Sequence, residues 1–446
     1  MAISHELGTE KISKLLIQQA APASIGFLIM SLYNIVDTIY VGQFIGPMAI
    51  AATTVVMPIS FLISSVGMAI GVGGASVISR ALGNKNKPKA LHTFGNQINL
   101  TMHLAIIFVI LGYWFDEEIL MLFGGKGEIL PYAREYFHVI LLGIPFLAWA
   151  MMSNNVIRAQ GRAKTAMYIM IVPAIINIIL DPIFIIWLDM GLKGAAWATI
   201  IAYMISASYA LVFFLKGDSE LTIILKYFRL RWDLVKEIFS IGIITLARQG
   251  SISILIVVLN HTLYAFMGEI GIAVYGVVNR VMMFALFPVI GILQGFLPIA
   301  GYNYGAKLFK RVKSSIFTSI KYSIIIASVL LAIIAFFSEY IVSAFTKNPE
   351  LTELSARALT IVFSTSPIIA VQLIGSGYFQ AIGKAVPALL LTLSKQGIFL
   401  IPLVLILPHF FGVDGIWFSF PISDIMSSIV TWYFLKRDIN KRLVPG

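Results

Sequence analysis

The sequence predicts an all-α membrane protein of about twelve transmembrane helices, arranged as two parallel six-helix bundles around a central cleft. Three observations carry this expectation. The 446 residues are 59% hydrophobic and 12% charged, with a mean hydropathy of +0.91, whereas soluble domains run near roughly 45–50% apolar and about 25% charged. The apolar runs recur at the roughly 20-residue length that crosses a bilayer as a helix. The two halves of the chain also resemble each other at a fixed register.

Taken in order, apolar stretches set against polar breaks place the spans near 15–40, 48–78, 92–114, 131–153, 165–187, 192–215, 237–264, 271–298, 314–337, 354–378, 385–408 and 412–435. Before the first span, Glu6 and Glu10 lie beside Lys11 and Lys14, and the apolar stretch runs past Asp37. A cleavable signal peptide is therefore not expected. Basic residues cluster in the even loops: Arg80, Lys85, Lys87 and Lys89 after the second span, Arg158, Arg162 and Lys164 after the fourth, Lys307, Lys310, Arg311 and Lys313 after the eighth. Acidic residues mark odd loops, with Asp116, Glu117, Glu118 and Glu128 in the third and Glu339, Glu350 and Glu353 in the ninth. By the positive-inside rule both termini are cytoplasmic in a multi-pass plasma-membrane protein.

A charged connection at 216–236 separates an N-terminal six-helix bundle, 1–215, from a C-terminal one, 237–446. An offset of 222 pairs Gly46 with Gly268, Gly73 with Gly295, Gly83 with Gly305, Lys85 with Lys307 and Gly161 with Gly383. One deletion later, Gly191 and Gly194 pair with Gly412 and Gly415. Repeats with an even number of spans enter the membrane from the same side, so an axis along the membrane normal should relate them.

The same residues exclude several kinds of function. Without cysteine there is no disulfide framework, iron–sulfur cluster or thiolate zinc site. No G-x-x-x-x-G-K-[ST] loop is present, and Gly71-Val72-Gly73-Gly74 falls inside a span, where small residues serve helix packing. The scattered histidines His5, His92, His103, His138, His261 and His409 form no H-E-x-x-H pair, and no G-x-S-x-G elbow stands with a plausible acid and histidine. The net charge of +11 sits in short loops, not on the basic face that nucleic acid would need. An enzyme is not expected, nor a resident metal or cofactor.

What remains is the set of ionisable groups inside spans, each costing about 2.5–3.5 kcal/mol at a helix centre on insertion scales. Asp37 shares a face of the first helix with Tyr33 and Asn34, and Asp181 follows Asn177 and Pro173 on the fifth. Thr199 and Tyr203 give the sixth helix a matching stripe. Two carboxylates, an amide and a hydroxyl from three helices are the hard oxygen set that a small cation or a shared proton needs. At the repeat offset Asp37 maps to Leu259 and Asp181 to Pro402 or Leu403, so the acidic pair is confined to the first half. The second half carries Arg248, Arg280, Lys395 and Asp424 within spans, with Lys395 and Asp424 expected to pair.

With Asn34-x-x-Asp37-Thr38-x-x-Val41-Gly42, Arg158-Ala159-Gln160-Gly161, Asn177-x-x-x-Asp181-Pro182, Gly191-x-x-Gly194-Ala195-Ala196 and Lys395-Gln396 before Pro402, the chain resembles the MATE family, the multidrug and toxic compound extrusion transporters. The resemblance spans essentially the whole chain. It implies a secondary antiporter that expels organic, usually cationic, compounds in exchange for H+ or Na+. It further implies the branch whose coupling site lies in the N-terminal half, built here from Asp37, Asn177, Asp181 and Thr199, with a helix bend at Pro22. Tyr33, Tyr136 and Asn154 would line the same substrate cavity, where Asn34 and Tyr203 are expected as well. A second branch also uses acidic groups of the C-terminal half; Leu259 and Arg248 stand where such groups would be sought, and Asp424 departs from either pattern.

The expected mechanism follows from electrostatics. Two carboxylates in a low-dielectric pocket repel, so an incoming cation or proton neutralises them and releases a bound substrate as the bundles alternate access. The partners expected are an organic small molecule and the lipid bilayer, with no nucleic acid and a monomeric chain. The alternative reading is a lipid-linked saccharide flippase or organic-anion exporter of the same architecture, which Arg248, Arg280 and Lys395 could serve.

Overall fold

The computed structural model describes residues 3–216 and 219–443, and among them every regular element is helical. The long helices are α1 (Ile12–Tyr40), α2 (Pro47–Gly83), α3 (Lys87–Trp114), α4 (Ile129–Ala159), α5 (Ala163–Pro182), α6 (Gly191–Leu215), α7 (Trp232–Met267), α8 (Glu269–Gly305) and α9 (Phe309–Ser343). They are followed by α10 (Pro349–Phe363), α11 (Ile369–Ala381), α12 (Ala385–Leu393) and α13 (Val413–Asp438). Ten helical stretches among the described residues are long and apolar enough to cross a bilayer. The two remaining expected spans are helical but atypical for physical reasons. The tenth is broken by a turn over residues 364–368, where Pro367 disfavours helix in the residue before it. The last, α13, buries Ser419, Ser423, Asp424, Ser427, Ser428 and Thr431, which lowers its hydropathy.

The glycine register of the two halves has a backbone cause. Gly46 and Gly268 (φ 114° and 67°), Gly161 and Gly383 (both 81°), and Gly191 and Gly412 (54° and 59°) all adopt left-handed conformations, as do Lys85 and Lys307 (55° and 58°). These are helix-to-helix turns in which a Cβ is disfavoured, so the same turns recur at the same places in both halves.

By contact the chain divides into two compact units. They are residues 1–6 with 25–245, and residues 7–24 with 246–446. The division therefore falls inside α1 and α7 and not at the charged connection, because the opening halves of these helices pack tightly in the unit that does not hold their ends.

In the first unit, α2 packs along α4, with Gly67 against the Ala148 backbone and Gly71 against Met152. Gln97 of α3 fills the notch at Gly74, its amide donating to the Ile70 and Gly71 carbonyls at 2.7 and 3.2 Å. The opening half of α7 crosses α2 at Gly73 and Gly242, so closely that a Cβ on Gly73 would sit 2.1 Å from the Ile238 carbonyl oxygen. In the second unit, the opening half of α1 crosses α8 at Gly291 and Gly295, against Ala20, Ser24 and Gln19. Arg311 and Asn303 hold the chain before α1 by donating to the Leu7 and Glu10 carbonyls. The core of this unit gathers Leu259, Leu263, Val278, Leu359, Val404 and Ile416.

Candidate functional site

The first unit brings the expected polar residues of α1, α4, α5 and α6 together. Asn177 and Asp181 lie one turn apart on α5, so both project to one side, and both are buried, at 1% and 0% exposure. Asp37 is half-buried near the end of α1; its carboxyl neighbours that of Asp181, and its Oδ1 has no donor of its own. Asn177 Nδ2 donates to Asp181 Oδ1 at 3.4 Å. With its amide turned over, Asn177 donates instead to Oδ2 at 3.3 Å and accepts from the Thr199 N–H at 3.3 Å, which satisfies both ends.

Thr199 spends its proton on the Ala195 carbonyl, 3.0 Å away. The Tyr136 hydroxyl neighbours the Thr199 side chain. Tyr33 and Tyr203 lie beside each other and beside the carboxyl pair. The result is two neighbouring carboxyls inside a ring of an amide and four hydroxyls, with no Lys or Arg among the described residues recorded beside them. Such a set can hold one proton between the carboxyls, or offer oxygen ligands to a small hard cation. Two charges of like sign this close cannot both be borne in low dielectric without such a guest. Among the described residues no three His, Asp or Glu side chains converge.

Two expected cavity residues sit outside this ring. Asn34 donates to the Met30 carbonyl of its own helix at 2.7 Å. Asn154 donates to the Ala166 carbonyl at 2.6 Å and accepts from Arg158 Nε at 2.9 Å, which fixes the α4–α5 turn. Pro22 is buried within an unbroken α1, in the part that belongs to the second unit. There, Lys395 Nζ lies 2.9 Å from Asp424 Oδ1, while Arg248 is half-buried and Arg280 exposed.

A polar cluster beyond the sequence reading lies where the short helix Asp116–Leu122 meets α4. Asp116 accepts from Arg134 at 2.6 and 3.1 Å, from the Glu117 N–H at 2.7 Å, and meets His138 Nε2 at 2.5 Å. Burial pushes its carboxyl up, but the hydrogen bonds from Arg134, His138 and Glu117 outweigh this and hold it below the usual carboxylate range. Only the string of acids at 116–118 hinted at it; Arg134 and His138 at i, i+4 on α4 were the unread half of the signal.

Comparison with known proteins agrees with this architecture. The MatE family model matches the chain twice, over residues 22–183 and 243–406, two copies in the register of the repeat. A multidrug export protein, MepA, of Staphylococcus saprophyticus is 25% identical over 94% of this chain and 93% of its own length. MepA of Staphylococcus aureus MSSA476 is 26% identical, covering 96% and 94%. A crystal structure of MATE in the bent conformation superposes with a TM-score of 0.93 at 26% identity, over 99% of this chain and 98% of that one. A MOP superfamily transporter from Pyrococcus furiosus, described as having a binding pocket of reverse polarity that suggests a different function, gives 0.90 at 26% identity, over 100% and 99%. A twice-matched family model, whole-length kinship with multidrug export proteins and a shared helical architecture lead to one conclusion: this chain is a transporter of the MatE family, that of multidrug and toxic compound extrusion.

Proposed function

We propose that the protein exports organic, cationic and amphipathic compounds across the plasma membrane, with both termini cytoplasmic, and that it exchanges them for H+ or Na+ at the Asp37–Asp181 pair. The observation that carries this reading is the neighbouring of two carboxyls inside an oxygen-rich ring, with no Lys or Arg among the described residues recorded beside them. With the pair charged, Asp37, Tyr33 and Tyr203 present acceptors that suit a cationic substrate. When a proton or Na+ occupies the pair, its field is quenched and a cationic substrate loses its electrostatic anchor. Asn177 orients Asp181, and Thr199 with Tyr136 supplies the further oxygens that a dehydrating ion requires. The bend at Pro22 and the alternation of access are the steps by which this local event would become transport.

The test is efflux of a permanently cationic dye from proteoliposomes holding the full chain, under Na+ and pH gradients imposed one at a time. Uphill dye movement under either gradient supports the reading. Movement of organic anions alone would favour the anion-exporter alternative, for which Arg248, Arg280 and Lys395 in the second unit are the supporting residues.

A further inference from the structure

The ion pair of the second unit is built unlike a packing element. Lys395 and Asp424 pair at 2.9 Å, yet Asp424 Oδ1 receives no hydrogen bond of proper geometry, and Oδ2 has only Thr365 Oγ1 at 3.5 Å. A carboxylate can accept about four hydrogen bonds and an ammonium can donate three, so both partners keep unused capacity. The side chain of Asp424 is 7% exposed and that of Lys395 19%, so the lysine is the less enclosed partner.

Two of the three contributing segments are irregular at this place. Thr365 sits in the turn that breaks the tenth span, and Lys395 lies in the wide-turn π segment Ser394–Leu400, where its carbonyl is held by Ser423 Oγ at 2.7 Å. Asp424 follows Pro421 on α13. Interrupted helices and π segments cluster at functional sites in transporters. Under the repeat, Asp424 stands where α6 has Tyr203, a member of the first unit's polar ring. Replacing a buried ion pair with apolar side chains is often neutral or stabilising, so stability alone gives little reason to keep this one.

We propose that Lys395, Asp424 and Thr365 form a second binding site that takes zwitterionic compounds, with a carboxylate on Lys395 and an ammonium or iminium group on Asp424; it rests on the export reading only for its transport role. The choice of class follows from charge balance. A pure cation taken by Asp424 would strand Lys395, and a pure anion taken by Lys395 would strand Asp424, each leaving an unpaired charge in low dielectric. A solute bearing both signs replaces both partners at once.

The test compares a rhodamine dye as its methyl ester, a cation, with the same dye as its free acid, a zwitterion. Binding of each to the purified full chain is read by fluorescence anisotropy. Lys395→Met should lower the ratio of free-acid to ester affinity about tenfold or more, the loss of one charge-assisted hydrogen bond. Lys395→Arg should retain the ratio to within about threefold. Should Lys395→Met fold poorly through its stranded carboxylate, the double change Lys395→Met with Asp424→Leu leaves no charge behind and should lose the ratio likewise. A ratio unmoved in Lys395→Met and in the double variant, or an intact protein that does not bind the free acid, overturns the proposal. The antiport reading is tested separately, because it stands or falls on ester efflux and its dependence on Asp37.

Discussion

Replacing Gly73 with alanine tests the packing that ties the opening half of α7 to α2. The new Cβ would lie 2.1 Å from the Ile238 carbonyl oxygen and 3.2 Å from the Gly242 nitrogen, where ordinary contact begins at 3.4 Å. Both neighbours are helix backbone, which cannot rotate away as a side chain would, so the helices must separate by about 1 Å along their crossing. Overpacking of this kind costs about 1–3 kcal/mol, and the helix propensity gained by alanine returns only about 0.5–1 kcal/mol. The net expectation is a loss of about 1–2 kcal/mol, visible as a drop of about 1–2 °C in Tm by thermal unfolding in detergent. Gly250→Ala is the control, since a Cβ there meets nothing within 4 Å; it should leave Tm unchanged or raise it. If Gly73→Ala unfolds at the same temperature as Gly250→Ala, the reasoning from close approach is refuted.

Further outcomes follow from other contacts. Gln97→Ala removes a buried amide that serves the Ile70 and Gly71 carbonyls; it should cost about 1–3 kcal/mol and lower Tm, and an unchanged Tm would contradict the role given to it. Asp116 has a folded-state pKa held below its unfolded one, so its stabilisation is present above the ordinary carboxylate range and disappears as pH falls through the lowered value. Thermal unfolding of Asp116→Asn should therefore lie below the native protein at neutral pH and converge with it in acid. Asn177→Ala should weaken ion coupling while cationic dye binding persists, measured as Na+- or H+-dependent efflux against equilibrium dye binding; equal loss of both would contradict its assignment to Asp181.

The sequence made some of this visible because the relevant spacing lies within one helix. Asn177 and Asp181 at i, i+4, and Tyr33 with Asp37, need only the helical period to share a face. The turns at Gly46, Gly161 and Gly191 were legible because left-handed backbone selects glycine. The membership of Tyr136 was harder. Its neighbour Thr199 lies on another helix, and nothing in its own helix marks that partner, so it entered only through resemblance. Asn154, placed in the cavity on the same ground, spends its amide on Ala166 and Arg158. The division inside α1 and α7 depends on crossings such as Gly73 with Ile238, whose sequence separation leaves no periodic trace. Pro367 was the one local sign that the tenth span would break.

Uphill transport by Asp37→Asn and Asp181→Asn proteins reconstituted in proteoliposomes tests the central claim most directly, with substrate counterflow recorded alongside. A coupled carboxyl pair predicts that accumulation driven by a Na+ or pH gradient is lost in both variants, while downhill exchange of substrate, weakened by the missing anchor charge, remains measurable. Gradient-driven accumulation that survives in either variant would contradict it.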